Sequence, residues 1–252
     1  ILKTKLLKKL RNNLRNGQVV LGSWLQIDSS ETTRILAQAG YDWLVIDTEH
    51  GHFSNKNLPT ICSQIESNDL IPIVRVAKKS EILIRLALDA GAYGVIVPNI
   101  SSINDLKIIK DAVFYSPKGN RGVGFCAANS YGKKFNEYLD FSKNLFVSGM
   151  IESKEGCENL EEILSMNLFD SILIGPYDLS ASLGCVGNFK DKKFINAQKH
   201  IFNICKKYKI PYGIHIVEPK YGLLEQAIKS GSTFIPFAGD SMFLEKSAKS
   251  PI

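Results

Sequence analysis

The hydrophobic residues of this chain follow two alternating patterns. Short apolar runs rich in β-branched and aromatic residues recur at 19–26, 43–47, 71–76, 94–98, 145–152, 171–174, 212–216 and 233–237. Most of these runs are continuously apolar, which is typical of parallel strands that are buried on both faces. Between them lie segments of helical periodicity at 31–39, 58–67, 81–90, 103–114, 159–166, 194–208 and 221–229. The pattern therefore predicts β/α units that repeat along the whole chain.

Residues with strong cap preferences mark the ends of several predicted helices. Gly40, Gly91 and Gly231 follow the last periodic positions, where a left-handed residue commonly ends a helix. Ser80 and Ser102 precede the first periodic positions and are candidate N-caps. These residues support the predicted helix boundaries.

Repeated β/α units within 252 residues match the size of a TIM barrel. Because no Pro-, Gly- or Ser-rich linker divides the chain, we predict one α/β domain over 1–252, a (β/α)8 barrel with a basic helix at 1–16. An open doubly wound sheet is the alternative. A dinucleotide-type Gly-x-Gly turn occurs only at 122–124, in a loop and not before a helix, which disfavours that alternative.

Composition narrows the picture in three respects. The hydrophobic content of 44% excludes a disordered chain. The net charge of +6 arises largely from the first fifteen residues, where leucines at helical spacing predict a terminal helix that packs on the body and solvates its lysines. Five widely spaced cysteines predict reduced thiols, and no apolar run is long enough to cross a bilayer. We therefore expect a cytoplasmic protein with no nucleic-acid or membrane partner.

Catalytic residues of such barrels come from the C-terminal ends of the strands. The densest acid/base cluster follows the second predicted strand, at 46–52, where His50 is a candidate general base. A purely structural loop histidine is the alternative. Arg75 interrupts the apolar third strand, so we expect it either to hold an anionic substrate or to pair with Asp47 or Glu49.

Two further carboxylates end the fifth and sixth predicted strands. Glu152 and Asp178 are close enough there to share a hard cation such as Mg²⁺ or Mn²⁺, completed by water and substrate oxygens. Asp178 is alternatively only the N-cap of the next helix. A long glycine-containing segment at 117–132 suits a loop that folds over an anionic ligand, with Arg121 supplying charge.

Taken together, short segments of this chain resemble the HpcH/HpaI aldolases, class II pyruvate aldolases built on a TIM barrel of the phosphoenolpyruvate/pyruvate type. The segments, in family order, are GSWL at 22–25, IDTEH at 46–50, PIVR at 72–75, LDAGA at 88–92, RGVG at 121–124, IE at 151–152 and GPYDLS at 175–180. The resemblance implies reversible cleavage of a 4-hydroxy-2-oxo acid, such as a 2-keto-3-deoxy sugar acid, to pyruvate and an aldehyde. It also implies a divalent cation (Mg²⁺, Mn²⁺ or Co²⁺) and a homo-oligomer, a hexamer or trimer of dimers.

The resemblance assigns catalytic roles to single residues. His50 is the proton acceptor, Arg75 stabilises developing negative charge, and Glu152 with Asp178 holds the metal. Asp89 raises the basicity of His50. Because Asp89 ends a predicted helix, it should lie at the opposite end of its own barrel, so this contact is expected from a neighbouring subunit. An exposed helix-end aspartate without such a role is the alternative.

The resemblance also outlines a substrate site and one departure from the family. The backbone around Tyr177 and Asp178 receives the pyruvate carboxylate, and Trp24 contributes to substrate binding. Some members carry a glutamine at the position of Met150, which cannot supply the same hydrogen bonds. A different substrate preference or weakened activity therefore stays open. The alternatives are a related lyase of the citrate-lyase-beta or malyl-CoA-lyase type, and a barrel that acts as a binding or assembly protein.

Overall fold

A computed structural model of the protein describes residues 2–249, and within this range the strands form one parallel eight-stranded sheet. The strands are β1 (Val20–Leu25), β2 (Trp43–Asp47), β3 (Ile71–Arg75), β4 (Gly94–Val97), β5 (Phe146–Ile151), β6 (Ser171–Ile174), β7 (Tyr212–Ile214) and β8 (Phe234–Gly239). From β1 to β7 each strand pairs with the next, and β8 pairs with β1. The predicted (β/α)8 barrel is therefore confirmed. Its extent as a single domain over 1–252 stays a prediction, because residues 1 and 250–252 lie outside the described part.

The barrel closes through a short contact between β7 and β8. The Ile216 N–H donates to the Pro236 carbonyl oxygen at 3.0 Å, just beyond the end of β7. Gly213 lies where the two strands come closest, and a Cβ there would collide with the Phe234 carbonyl group. Glycine at this position is what allows the strands to approach.

Helices surround the barrel in the expected order. They are α1 (Leu2–Arg15), α2 (Ser30–Ala37), α3 (Leu58–Glu66), α4 (Glu81–Asp89), α5 (Ile103–Val113), α6 (Phe135–Ser142), α7 (Lys154–Glu158), α8 (Leu160–Ser165), α9 (Pro176–Ser182), α10 (Lys192–Tyr208), α11 (Tyr221–Lys229) and α12 (Asp240–Ser247). No predicted range covers α6, α7, α9 or α12, which have five to eight residues each, because segments of about two turns or fewer show only a weak helical period. The other predicted bounds lie within two residues of the observed ones.

The predicted cap residues lie at helix ends. Gly40, Gly91 and Gly231 follow α2, α4 and α11 with φ of 89°, 110° and 94°, in the left-handed region. Ser80 and Ser102 hold the N-cap positions of α4 and α5, although the Ser80 side chain makes no capping hydrogen bond. Local sequence therefore sets these boundaries.

The basic terminal helix α1 is a structural element of the barrel. Leu7, Leu10 and Leu14 are buried, as the interpretation of a packed terminal helix predicts. The Arg11 guanidinium binds both carboxylate oxygens of Asp170, at 2.7 and 2.8 Å. None of the helices between residues 2 and 249 combines the length and apolar character that crossing a membrane requires.

Aromatic side chains fill the lower part of the barrel interior. Trp43 stacks on Phe234 with ring centroids 4.3 Å apart, and Phe146 lies 5.3 Å from the same ring. All three residues lie near the N-terminal ends of their strands. This layer of large apolar rings fills the N-terminal end of the interior, and the charged pair Asp47–Arg75 lies at the C-terminal mouth.

Candidate active site

Asp47 and Arg75 form a buried ion pair at the ends of β2 and β3. Arg75 donates from Nε to Asp47 Oδ1 at 2.9 Å and from Nη2 to Oδ2 at 2.6 Å, while Nη1 lies 3.1 Å from Glu49 Oε2. Burial alone would raise the pKa of Asp47, but the hydrogen bond and charge of Arg75 bring it below the usual value. The expected pairing of Arg75 is therefore observed, and two of its five N–H donors are not used in these contacts.

Asp47 also orients the loop that carries His50. Its Oδ1 accepts from the backbone N–H groups of Glu49 (3.1 Å) and His50 (3.2 Å), an arrangement that Asp commonly makes in turns. Gln26 donates from Nε2 to Asp47 Oδ2 at 3.1 Å and was not predicted as a site residue. The His50 side chain itself is exposed at the mouth. The buried Asp47–Arg75 pair thus fixes the backbone of the loop that presents the exposed His50 imidazole.

Glu152 is a buried carboxylate directly after β5. It is 7% exposed, and its Oε1 accepts from the Asn99 N–H at 2.6 Å. Burial raises the pKa of Glu152 to about 7, and the negative charges of Glu49 and Asp178 act in the same direction. Asn99 was not predicted as a site residue. It follows a proline at the end of a predicted strand, and its φ of 51° lies in the left-handed region, which Asn tolerates better than most residues.

Asp178 and Tyr177 lie in the first turn of α9 and are exposed. The N-cap of this helix is Gly175, so the alternative of Asp178 as the N-cap is wrong. The first intrahelical hydrogen bond runs from the Leu179 N–H to the Gly175 carbonyl at 3.0 Å. The N–H groups of Tyr177 and Asp178 precede it and have no intrahelical acceptor.

The donor set at the mouth fits a hard divalent cation. Glu49, Glu152 and Asp178 lie close enough for their negative charges to act on one another, and the raised pKa of Glu152 reflects burial in this acidic setting. A Cβ at Gly175 would fill the space against Glu152 Oε2, so glycine leaves that oxygen accessible. Within residues 2–249 no group of three or more His, Cys, Asp or Glu side chains forms a ligand set. Two carboxylates would leave the other positions to water and substrate.

The structure keeps Asp89 apart from His50 of the same chain. Asp89 ends α4, beside the N-terminal end of the barrel, and its Oδ1 accepts from Arg121 Nη2 at 2.6 Å. Arg121 is 4% exposed, donates to the Tyr138 hydroxyl at 3.0 Å and lies over the Tyr115 ring. The expectation that Arg121 faces an anionic ligand is wrong, because aromatic rings and Asp89 enclose its guanidinium.

Two residues of the expected substrate site are buried in the barrel wall. Trp24 is 1% exposed, and its ring lies 4.3 Å from the Arg75 guanidinium. Met150 is also 1% exposed and lies beside Gly175. His215 was not predicted to belong to the site, yet its ring centroid is 4.8 Å from that of Trp24. In the sequence, His215 stands out only as a single histidine within the otherwise apolar run 212–216.

The chain matches the HpcH/HpaI aldolase/citrate lyase family over residues 20–246, a range that includes all eight strands and the mouth residues. The protein belongs to this family. The resemblance drawn from the short segments is therefore confirmed, and so is the prediction of a carbon–carbon lyase of the aldehyde-lyase class.

Several family relatives are similar along nearly the whole chain. The 5-keto-4-deoxy-D-glucarate aldolase of Escherichia coli strain K12 is 29% identical over 233 residues, which cover 92% of this chain and 90% of the relative. The crystal structure of a family protein from Burkholderia cenocepacia J2315 is 29% identical, has a TM-score of 0.89 and covers 95% of both chains. The citrate synthase SbnG is 26% identical, with a TM-score of 0.80 over 94% of this chain and 93% of that one.

Proposed function

We propose that the protein cleaves a 4-hydroxy-2-oxo acid reversibly to pyruvate and an aldehyde, with Mg²⁺, Mn²⁺ or Co²⁺ held by Glu152 and Asp178. The observation that carries this proposal is the buried Glu152 carboxylate, with its raised pKa, in an acidic mouth that also contains Arg75. The name of the Escherichia coli relative supports a 2-keto-3-deoxy sugar acid as the substrate class.

Cleavage requires the loss of the C4 hydroxyl proton, breakage of the C3–C4 bond and uptake of its electron pair as the enolate of pyruvate. His50 accepts the hydroxyl proton at an imidazole nitrogen, since its side chain is exposed at the mouth. The Arg75 N–H groups that Asp47 and Glu49 leave free donate to the developing alkoxide oxygen. When bound, the cation supplies a Lewis acid that lowers the free energy of the enolate. Protonation at C3 then completes pyruvate.

The substrate carboxylate requires its own contacts. The free N–H groups of Tyr177 and Asp178 bind the pyruvate carboxylate at the start of α9. Trp24 and Met150 contribute the apolar wall beside it. Met150 offers no amide to the substrate, so hydrogen bonding on this wall comes from other residues.

Asp89 enters the proposal only through a second copy of the chain. We place the protein in a homo-oligomer, a hexamer or trimer of dimers, in which Asp89 of the partner subunit hydrogen-bonds His50 and raises its basicity. Arg121 holds Asp89 in position from within its own chain. A cytoplasmic location is supported by the five free cysteines, all within the described part of the chain.

Pyruvate release from a panel of 4-hydroxy-2-oxo acids, measured with Mg²⁺, Mn²⁺, Co²⁺ or EDTA, tests the function. Glu152→Ala and Asp178→Ala should abolish metal stimulation with an unchanged circular dichroism spectrum, whereas Glu155→Ala, an exposed carboxylate on α7, should not. Activity retained in EDTA would contradict the metal assignment. The absence of metal-dependent pyruvate release from every compound would contradict the proposed reaction. Cleavage of a citryl or acyl-CoA substrate instead would indicate a related lyase.

A further inference from the structure

A histidine with no part in the proposed chemistry lies inside the barrel mouth. His215 follows the last residue of β7, and its ring is 4.8 Å from that of Trp24 on β1, which in turn contacts Arg75 on β3. Side chains from β7, β1 and β3 belong to strands that are not adjacent, so they meet only on the inner side of the sheet. His215 therefore shares the interior with the catalytic candidates.

The polar atoms of these two rings have no hydrogen-bond partner among the residues that the structure describes. Trp24 Nε1 is buried without a hydrogen-bond partner, and the half-buried His215 imidazole makes no side-chain hydrogen bond among residues 2–249. Buried polar groups nearly always have a partner, so unpaired ones in the wall of a site indicate where ligand atoms bind. His215 itself is half-buried rather than enclosed. A substrate group at the mouth can therefore reach the His215 ring.

The charge around His215 restricts what it recognises. Burial and the positive charge of Arg75 together lower the pKa of His215 to about 3, although the negative charge of Asp47 opposes the shift. The ring is therefore neutral near pH 7, with one nitrogen that donates and one that accepts. Because Asp47 and Glu49 already neutralise Arg75, this wall suits an uncharged hydroxyl better than a second carboxylate.

On the basis of the proposed function, on which this inference rests, we propose that His215 determines aldehyde specificity by hydrogen bonding to a hydroxyl group on the carbon next to the aldehyde carbonyl. The N–H groups of Tyr177 and Asp178, at the start of α9, place the pyruvate carboxylate on the side of β5 and β6. The part of the substrate beyond C4 then extends toward the wall of β7 and β1, where His215 and Trp24 lie. The substrate class is a 4,5-dihydroxy-2-oxo acid.

The addition of pyruvate to two aldehydes of equal size tests this assignment. Glycolaldehyde and propanal differ only by a hydroxyl in place of a methyl group, and the ratio of their kcat/KM values isolates the hydroxyl contact. Wild type should favour glycolaldehyde. His215→Phe, which keeps a ring on Trp24, and His215→Leu should each lower the ratio about three- to tenfold, the usual effect of one lost hydrogen bond. His215→Asn, which retains a donor and an acceptor, should preserve most of it.

His200→Leu is the matched control, because His200 is exposed on α10 and should keep the wild-type ratio. Thermal unfolding identifies which variants are folded, and the ratio from either the Phe or the Leu variant is sufficient. An unchanged ratio, or an equal fall of kcat/KM for both aldehydes, overturns the assignment of His215 while leaving the aldolase function in place. Failure of the wild type to add pyruvate to either aldehyde overturns the proposed function and this inference with it.

Discussion

At the scale of single residues, the mouth combines carboxylates in very different environments. Asp47 is fully buried but paired with Arg75, so its pKa stays below the usual value although burial alone would raise it. Glu152 is buried without such a partner, and its pKa rises to about 7. The free energy of an ionised carboxylate at this mouth thus depends more on whether it is paired with a positive charge than on how deeply it is buried.

The pKa of Glu152 leads to a prediction about stability without metal. Because the folded state keeps this proton up to about pH 7 while an unfolded glutamate loses it near 4.5, stability should fall as pH rises through that window. Glu152→Gln removes the charge and keeps an oxygen for the Asn99 N–H. In EDTA, we expect its Tm to match wild type at pH 5 and to exceed it by several degrees at pH 8. A Tm at or below that of wild type at pH 8 would contradict the raised pKa.

The role of His50 can be separated from metal binding by a neighbouring histidine. His50→Ala should lower kcat by about 10²- to 10⁴-fold, the range for a lost general base, with an unchanged metal Kd. His52→Ala, in the same loop and also exposed, should retain wild-type turnover. Steady-state kinetics and metal titration of both variants provide the comparison. Equal rates for His50→Ala and wild type would remove His50 from the reaction.

At the scale of elements, the β7–β8 contact decides whether the sheet closes. The strand β7 has only three residues, and the two strands approach at Gly213 because this position has no Cβ. His215, immediately beyond β7, depends on the same closure to reach Trp24 on β1. The absence of a Cβ at Gly213 therefore determines where His215, just beyond the end of the same strand, is placed.

Two glycine substitutions test this steric condition. Gly213→Ala should lower the free energy of unfolding by roughly 3 kcal/mol or more, because the added Cβ collides with the β8 backbone rather than with a flexible side chain. Gly222→Ala, on α11 with open space around it, should leave stability unchanged or raise it by up to about 1 kcal/mol. Denaturant unfolding measures both. Equal stability of the two variants would show that the barrel relaxes at this contact.

At the scale of the whole molecule, one chain does not bring all the expected catalytic residues together. Asp89 and His50 lie at opposite ends of the barrel, and Asp89 is held there by Arg121. If both residues act in one site, the site lies between two copies of the chain. The proposed assembly is thus directly testable through activity.

Mixing two inactive variants makes that test. His50→Ala and Asp89→Asn should each be nearly inactive as homo-oligomers, and Asn keeps an oxygen for Arg121. Random co-assembly in equal amounts should restore activity to about a quarter of wild type, because a symmetric interface then joins an intact His50 to an intact Asp89. No recovery in the mixture would contradict a shared site. Wild-type activity of Asp89→Asn alone would leave Asp89 with only its structural contact to Arg121.

Much of the architecture and part of the site were readable from the sequence. The alternation of apolar runs and helical periods predicted the barrel, because both patterns depend on neighbouring residues alone. Every strand of a parallel barrel ends at the same rim, so residues at predicted strand ends, His50, Arg75, Glu152 and Asp178, were expected to share one mouth.

Pairing and burial were decided by the tertiary structure. Arg121 had the sequence context of a ligand-binding loop, yet distant aromatic residues and Asp89 enclose its guanidinium. Gln26 and Asn99 orient Asp47 and Glu152 from other segments, and His215 reaches Trp24 only because β7 closes against β8. Periodicity is a local property of the chain, whereas the partner and charge of a buried group depend on which distant segments meet.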